Sequence, residues 1–179
     1  MSNPFNHSSV EVQSGTARAL MDALGLLSQE TRRILAEHGI PSLVQQEWYP
    51  IQTLLKCLND IRSQMGPYTL HSLGRLSAKH IAFLPTVGSF PAALASLNQA
   101  YQTRHRGQGD VGGYHSQPQG GRSARVRCDN PYPCEYDQGL LESLFERFPP
   151  QEAFRLRFTH APEECRTQGA PACLYQLHW

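Results

Sequence analysis

Cys134, His160, Cys165 and Cys173 all fall at turns or element ends in the second half of the sequence. Three soft thiolates and one imidazole suit a closed tetrahedral zinc site, a structural centre with no coordination position left for water. Cys128 is an alternative ligand, separated from Cys134 by the rigid turn Asp129-Asn130-Pro131-Tyr132-Pro133. The spacing is not that of a zinc finger, and the same cysteines also read as small buried hydrophobes. A third chemistry open to them is a thiol switch, pairing Cys165 with Cys173 or Cys128 with Cys134.

Two other groups are candidates for binding. Trp48 and Tyr49, with Phe83, Phe90 and Tyr101, would line an apolar pocket between helices and sheet, or simply belong to the core. His105, beside Tyr101, Arg104 and Arg106 at a helix end, would meet an anionic ligand or a haem at the pocket mouth. Alternatively, these cations complement the helix dipole. Arg122, Arg125, Arg127, Arg155 and Arg157 make either a basic stripe for an acidic partner or a solvated sheet face. No catalytic residues are assigned. The sequence shows no Gly-rich nucleotide loop, nucleophile elbow or His-Glu-x-x-His motif, and the expectation is a protein that is not an enzyme.

The elements that must position these groups follow from periodicity. Leu20, Leu24, Leu27, Ile34 and Leu35 mark a helix over about 17–38. Val44, Trp48, Ile51, Leu55 and Leu58 mark a second over about 41–64, with a kink or break at Pro50. Leu70, Leu73, Ile81 and Leu84 predict a third over 69–82, and Phe90, Leu94, Leu97 and Tyr101 a fourth over 90–103. Six glycines in 104–121 end the helical texture. A hairpin follows, 112–117 against 123–128, with Ala124, Val126 and Cys128 on its apolar face. A fifth helix covers 136–147. Period-two strands follow over 154–160, with Phe154, Leu156, Phe158 and His160 inward, and over 173–179. The fold class expected is α+β, with N-terminal helices packed on a C-terminal antiparallel sheet.

With 179 residues, 40% hydrophobic, 17% charged and a net charge of +1, the chain suits one soluble domain and not an electrostatic nucleic-acid binder. We expect a mobile tail over 1–15 and one domain over 16–179, with a helical half (16–104) and a sheet and metal-site half (110–179). There is no apolar run of membrane-spanning length and no signal-peptide core. The five cysteines then favour a reducing cytoplasm.

The segment Cys165-Arg-Thr-Gln-Gly-Ala-Pro-Ala-Cys173-Leu-Tyr-Gln-Leu-His-Trp179 resembles the closing motif of 4-vinyl reductase-type domains. Cys134-Glu-Tyr-Asp-Gln-Gly139 is similar to that family's cysteine-plus-glycine helix start. The resemblance covers about 110–179 and implies the fold shared by haem nitric-oxide-binding domains and TRAPP core subunits. It also implies a small-molecule sensor whose zinc is held by a cysteine before the helix, a glutamate and the last two cysteines. Those cysteines fall on Cys134, Cys165 and Cys173. The glutamate falls on Pro162, so His160 stands in for it, with Glu163, Glu164 or Cys128 as alternatives. The reading is a regulatory domain binding a small apolar or aromatic ligand, signalling through association, with a homodimer and a signalling partner expected. A scaffold subunit, a thiol redox switch and a haem-binding gas sensor are its alternatives.

Overall fold

A computed structural model of the chain describes residues 9–25, 29–43 and 46–179. The chain opens on a short strand, β1 (Glu11–Gln13), followed by helices α1 (Ser14–Gly25), α2 (Gln29–Glu37) and α3 (Ile40–Leu43). Strand β2 (Trp48–Pro50) leads into α4 (Ile51–Met65), α5 (Pro67–Ala78) and α6 (Phe90–Gln102). Then come β3 (His105–Arg106), β4 (Tyr114–Pro118), β5 (Ser123–Cys128) and α7 (Cys134–Arg147). Strand β6 (Arg157–Thr159), two 3-10 turns (Pro162–Glu164 and Arg166–Gln168) and β7 (Cys173–His178) complete it.

This is the expected α+β arrangement. The four-stranded sheet is antiparallel in the order β4-β5-β7-β6, with Cys128 opposite Cys173 in register. The expected hairpin, fifth helix and last strand are all present. A three-stranded sheet, β2-β1-β3, was not expected. It pairs Val12 with Tyr49 and His105.

Several expectations need correction. Residues 9–15 are no mobile tail, because β1 is held between two strands and Val10 and Val12 are buried; residues 1–8 lie outside the described residues. The stripe over 17–38 splits into α1 and α2. Leu27 and Val44 lie outside the described residues, as do the side chains of Leu20 and Leu24. The second stripe breaks at Pro50, whose missing N–H suits the end of β2 and the entry to α4. The third helix stops at Ala78, leaving Leu84 exposed. Phe154 is 97% exposed instead of inward, because β6 pairs with β7 only from Arg157.

Local chemistry explains the helix ends that frame the site. Gly66, at φ 86, turns the chain from α4 into Pro67 at the first position of α5. Ser89 caps α6 by accepting from the Ala92 N–H at 3.4 Å. One core joins Leu58 and Ile61 of α4, Leu73 of α5, Leu141 and Leu144 of α7, and Val126 and Tyr175 of the sheet. Helix α7 lies against α5 with no room for a side chain at two points. A Cβ on Gly74 would stand 2.0 Å from the Tyr136 carbonyl oxygen, and one on Gly139 would stand 1.9 Å from that of His71. That close approach fixes α7, and with it Cys134 and Asp137.

Candidate functional site

Three short devices bring the thiols together. Asn130 Oδ1 accepts from the Tyr132 N–H at 2.9 Å, folding the Pro131–Pro133 turn that delivers Cys134 to the start of α7. Cys165 sits between the two 3-10 turns, its carbonyl accepting from Gln168 N at 2.9 Å and Ala170 N at 3.2 Å. Gly169, in the left-handed region at φ 92, then turns the chain toward β7, which opens on Cys173. The Sγ atoms lie 3.0 Å (Cys134–Cys173), 3.5 Å (Cys134–Cys165) and 4.0 Å (Cys165–Cys173) apart. All three residues are buried. The group offers three thiolate ligands to one metal ion.

The surroundings favour negative charge on this corner. Arg166 donates to Cys173 Sγ from Nε at 3.2 Å and from its backbone N at 3.4 Å. The hydrogen bond from Cys134 and the Arg166 donors pull the Cys173 thiol down against its burial. Cys134, the donor to that thiolate, is pushed up. Arg166 also pairs with Asp137, which is fully buried and accepts from the Tyr114 hydroxyl at 2.7 Å and Asn130 Nδ2 at 3.3 Å. Burial raises the Asp137 carboxyl to about 6, with Arg166, Tyr114 and Asn130 pulling the other way, so it is ionised at neutral pH.

The other expected ligands lie apart from this trio. His160 is not among the ligand atoms that lie within 4.8 Å of one another. Its ring stands 4.4 Å from that of Tyr175, and its Nε2 is buried with no hydrogen-bond partner among the described residues. Cys128 is buried opposite Cys173 but outside the group, and its thiol is pushed well up by burial. Glu164 is paired with Arg125 at 3.1 Å.

Of the expected ligand-binding residues, Tyr101 and His105 line an inner cavity of about 60 Å³, with Leu97, Tyr114, Tyr132 and Tyr136. His105 Nδ1 donates to the Tyr101 carbonyl at 2.8 Å, and its Nε2 accepts from the Tyr132 hydroxyl at 2.8 Å. A carbonyl can only accept, so Nδ1 carries the proton. Burial, chiefly, lowers the His105 pKa to about 4, with Arg104 adding to it and the Tyr101 carbonyl opposing. The ring is neutral.

Trp48, Tyr49, Phe83 and Phe90 line neither this cavity nor the outer one described next. Arg106 covers Trp48 at 4.3 Å, and Tyr49 is buried in β2. Phe83 packs edge-on against Phe148 at 5.7 Å. Phe90 lies between Phe145 at 5.4 Å and Trp179 at 5.1 Å. Tyr49 and Phe90 belong to the core, Phe83 packs against it, and Trp48 is half-buried under Arg106. The arginine stripe is a paired sheet face at three positions, Arg122 with Glu152, Arg125 with Glu164 and Arg127 with Asp129.

The sequence reading missed a second, outer cavity of about 380 Å³ between α6 and the β4–β5 hairpin, bordered by Leu94, Asn98, Tyr114, His115 and Trp179. It also missed the Asp137–Arg166 pair, whose members stand 29 positions apart.

No family model matches the chain, and no curated protein sequence matches it. Solved structures do. An H-NOX protein from S. oneidensis in the Fe(II) ligation state superposes with a TM-score of 0.69 at 12% identity, covering 93% of this chain and 95% of that one. An unliganded Fe(II) H-NOX protein mutant from K. algicida gives 0.61 at 11%, covering 93% and 95%. An oxygen-binding H-NOX domain related to soluble guanylate cyclases gives 0.57 at 10%, covering 92% and 90%. The fold is that of H-NOX domains. Among the described residues no helix is long and apolar enough to cross a membrane.

Proposed function

We propose that this chain is a small-molecule-binding sensory domain of the 4-vinyl reductase type, with a structural zinc held by Cys134, Cys165 and Cys173. The observation that carries this reading is the convergence of three buried thiols within 4.0 Å of one another, with Arg166 donating to the sulfur of Cys173. Cysteine pairs used only as buried hydrophobes have no need of such a donor. His160, whose Nε2 is buried without a partner among the described residues, is the fourth ligand in this reading only if its side chain moves toward the thiols, since it stands outside their group. Glu163, Glu164 and Cys128, which likewise stand outside the group, are its alternatives.

The ligand is a neutral, largely apolar or aromatic molecule. The outer cavity, at about 380 Å³, falls in the range of about 300–1,000 Å³ usual for ligand pockets. The inner one, at about 60 Å³, is smaller than the roughly 150 Å³ that accommodates benzene in an apolar cavity. A ring reaches Tyr101 and His105 only if the wall moves. The protein is not an enzyme in this reading. It works in the cytoplasm as a homodimer and passes its signal to a partner by association. Metal analysis of tag-free protein tests the reading; one zinc per chain is expected, and metal-free protein that remains folded contradicts it.

A haem-binding gas sensor is the second reading, favoured by the likeness to Fe(II) H-NOX structures. The residues present do not fit that group. Of the two histidines on the inner cavity, His80 and His105, the latter already accepts at Nε2 from the Tyr132 hydroxyl, and the cavity is far smaller than a macrocycle. Titration with haemin should give no stoichiometric Soret band shift. A saturable one-to-one shift abolished by His105→Ala would restore the haem reading.

A further inference from the structure

A line of polar side chains runs from the cavity wall to the thiol corner. Tyr114 borders both cavities, and its hydroxyl donates to Asp137 Oδ1 at 2.7 Å. The other carboxylate oxygen, Oδ2, accepts from Arg166 Nη2. Arg166 Nη1 donates to Asn130 Oδ1 at 3.2 Å, and Asn130 Nδ2 closes the ring by donating to Asp137 Oδ1 at 3.3 Å. On its third side the guanidinium turns Nε toward Cys173 Sγ at 3.2 Å.

A guanidinium is planar, and its donors are fixed relative to one another. It therefore holds the carboxylate, the side-chain amide and the sulfur as one rigid unit. Any shift at Asp137 is carried to Cys173. Tyr114 and Asp137 are buried and only 16% of the Arg166 side chain is exposed, so water does not replace a lost partner. Hydrogen bonds to a ligating atom orient it and tune how strongly it donates to a metal.

We propose that Tyr114, Asp137 and Arg166 form a positioning arm through which the cavity wall sets the metal affinity of the thiol corner. None of the three is a metal ligand. The inference rests on the corner being a metal centre and adds how that centre is regulated. A ligand that draws the Tyr114 hydroxyl away loosens Asp137, and the orientation of the donor to Cys173 changes with it.

The test measures dissociation constants for Zn(II) and Co(II) on the full chain, by competition with a chromophoric chelator, together with the Co(II)–thiolate absorption band. The variants are Tyr114→Phe, Asp137→Asn, Arg166→Ala and Arg166→Lys. Asp137→Asn and Arg166→Ala should weaken binding by about ten- to a hundredfold, as loss of an outer-shell partner does, with partial recovery in Arg166→Lys. Tyr114→Phe should weaken it severalfold and move the Co(II) band, while loss of the one buried hydroxyl lowers the melting temperature of the metal-free protein only modestly. Should Asp137→Asn or the Arg166 variants fail to fold, Tyr114→Phe decides, since it removes one hydroxyl and keeps the ring. Wild-type affinity and an unmoved band in Tyr114→Phe would overturn the arm and leave the metal centre standing. A wild-type chain that binds neither ion would remove both.

Discussion

The Tyr132 hydroxyl donates to His105 Nε2 at 2.8 Å, and burial holds that imidazole in its neutral form. The ring has a pKa near 4 in the folded chain, against an ordinary value of 6.5. Between these values the unfolded chain binds the proton and the folded one does not. Stability from this group is therefore fully present above pH 6.5 and falls as pH drops toward 4. The expected loss is about 3 kcal/mol at about 1.36 kcal/mol per pH unit. Urea titrations at a series of pH values should show this slope, and His105→Phe should reduce it. An equal slope in both proteins would contradict the assignment.

Gly139 and Gly74 permit the contact between α5 and α7. Each alanine substitution drives a methyl group into carbonyl oxygen, 1.9 Å from His71 for Gly139→Ala and 2.0 Å from Tyr136 for Gly74→Ala. Helix propensity favours alanine, so an exposed site would gain stability. Here the overlap decides, and each variant should lose about 3 kcal/mol or more, at or beyond the upper end of overpacking costs. Thermal melts would show it; a raised melting temperature would mean the helices are further apart than described.

Breaking the Asp137–Arg166 pair should cost stability more than removing it. Asp137→Ala leaves the guanidinium largely buried without its carboxylate, with an expected cost of about 3–5 kcal/mol. Combining it with Arg166→Met should recover a large part of that loss. A double-mutant cycle from denaturant unfolding measures the coupling, and strictly additive losses would show that the pair is energetically idle.

Cys134 and Cys173 should form a disulfide once metal is removed. Their sulfurs are 3.0 Å apart, and the Cys134 hydrogen bond and the Arg166 donors favour the thiolate at Cys173. Hydrogen peroxide would take the electron pair from the two thiols, giving one disulfide and two waters. Thiol counting after peroxide treatment of metal-free protein should show two groups lost together, and none of that pair lost in zinc-loaded protein. Loss of thiols one at a time would point to independent sulfenic acids instead.

The parts of this fold with a clean period were legible in the sequence. Val126 and Cys128 alternate with arginines, and Leu140, Leu141 and Leu144 repeat helically, so the hairpin and α7 were placed correctly. The sheet of β1, β2 and β3 was not, because strands of two or three residues carry no period. Phe154 misled because an alternation continues on paper past the point where pairing begins. In the site, Cys134, Cys165 and Cys173 were read from their motif. The Asp137–Arg166 contact depends on where α7 lies over the 3-10 turns, which no local pattern encodes. Phe90 and Tyr49 look alike in sequence to Tyr101, yet only the last faces a cavity, since aromatic residues serve core and pocket equally.

The most direct test of the central claim is the metal-to-chain ratio of tag-free protein by mass spectrometry, for wild type and for Cys134→Ser, Cys165→Ser and Cys173→Ser. The account predicts one zinc per wild-type chain, lost in each of the three variants together with a drop in melting temperature. Wild-type protein that purifies folded, with its thiols reduced and no metal, would contradict it.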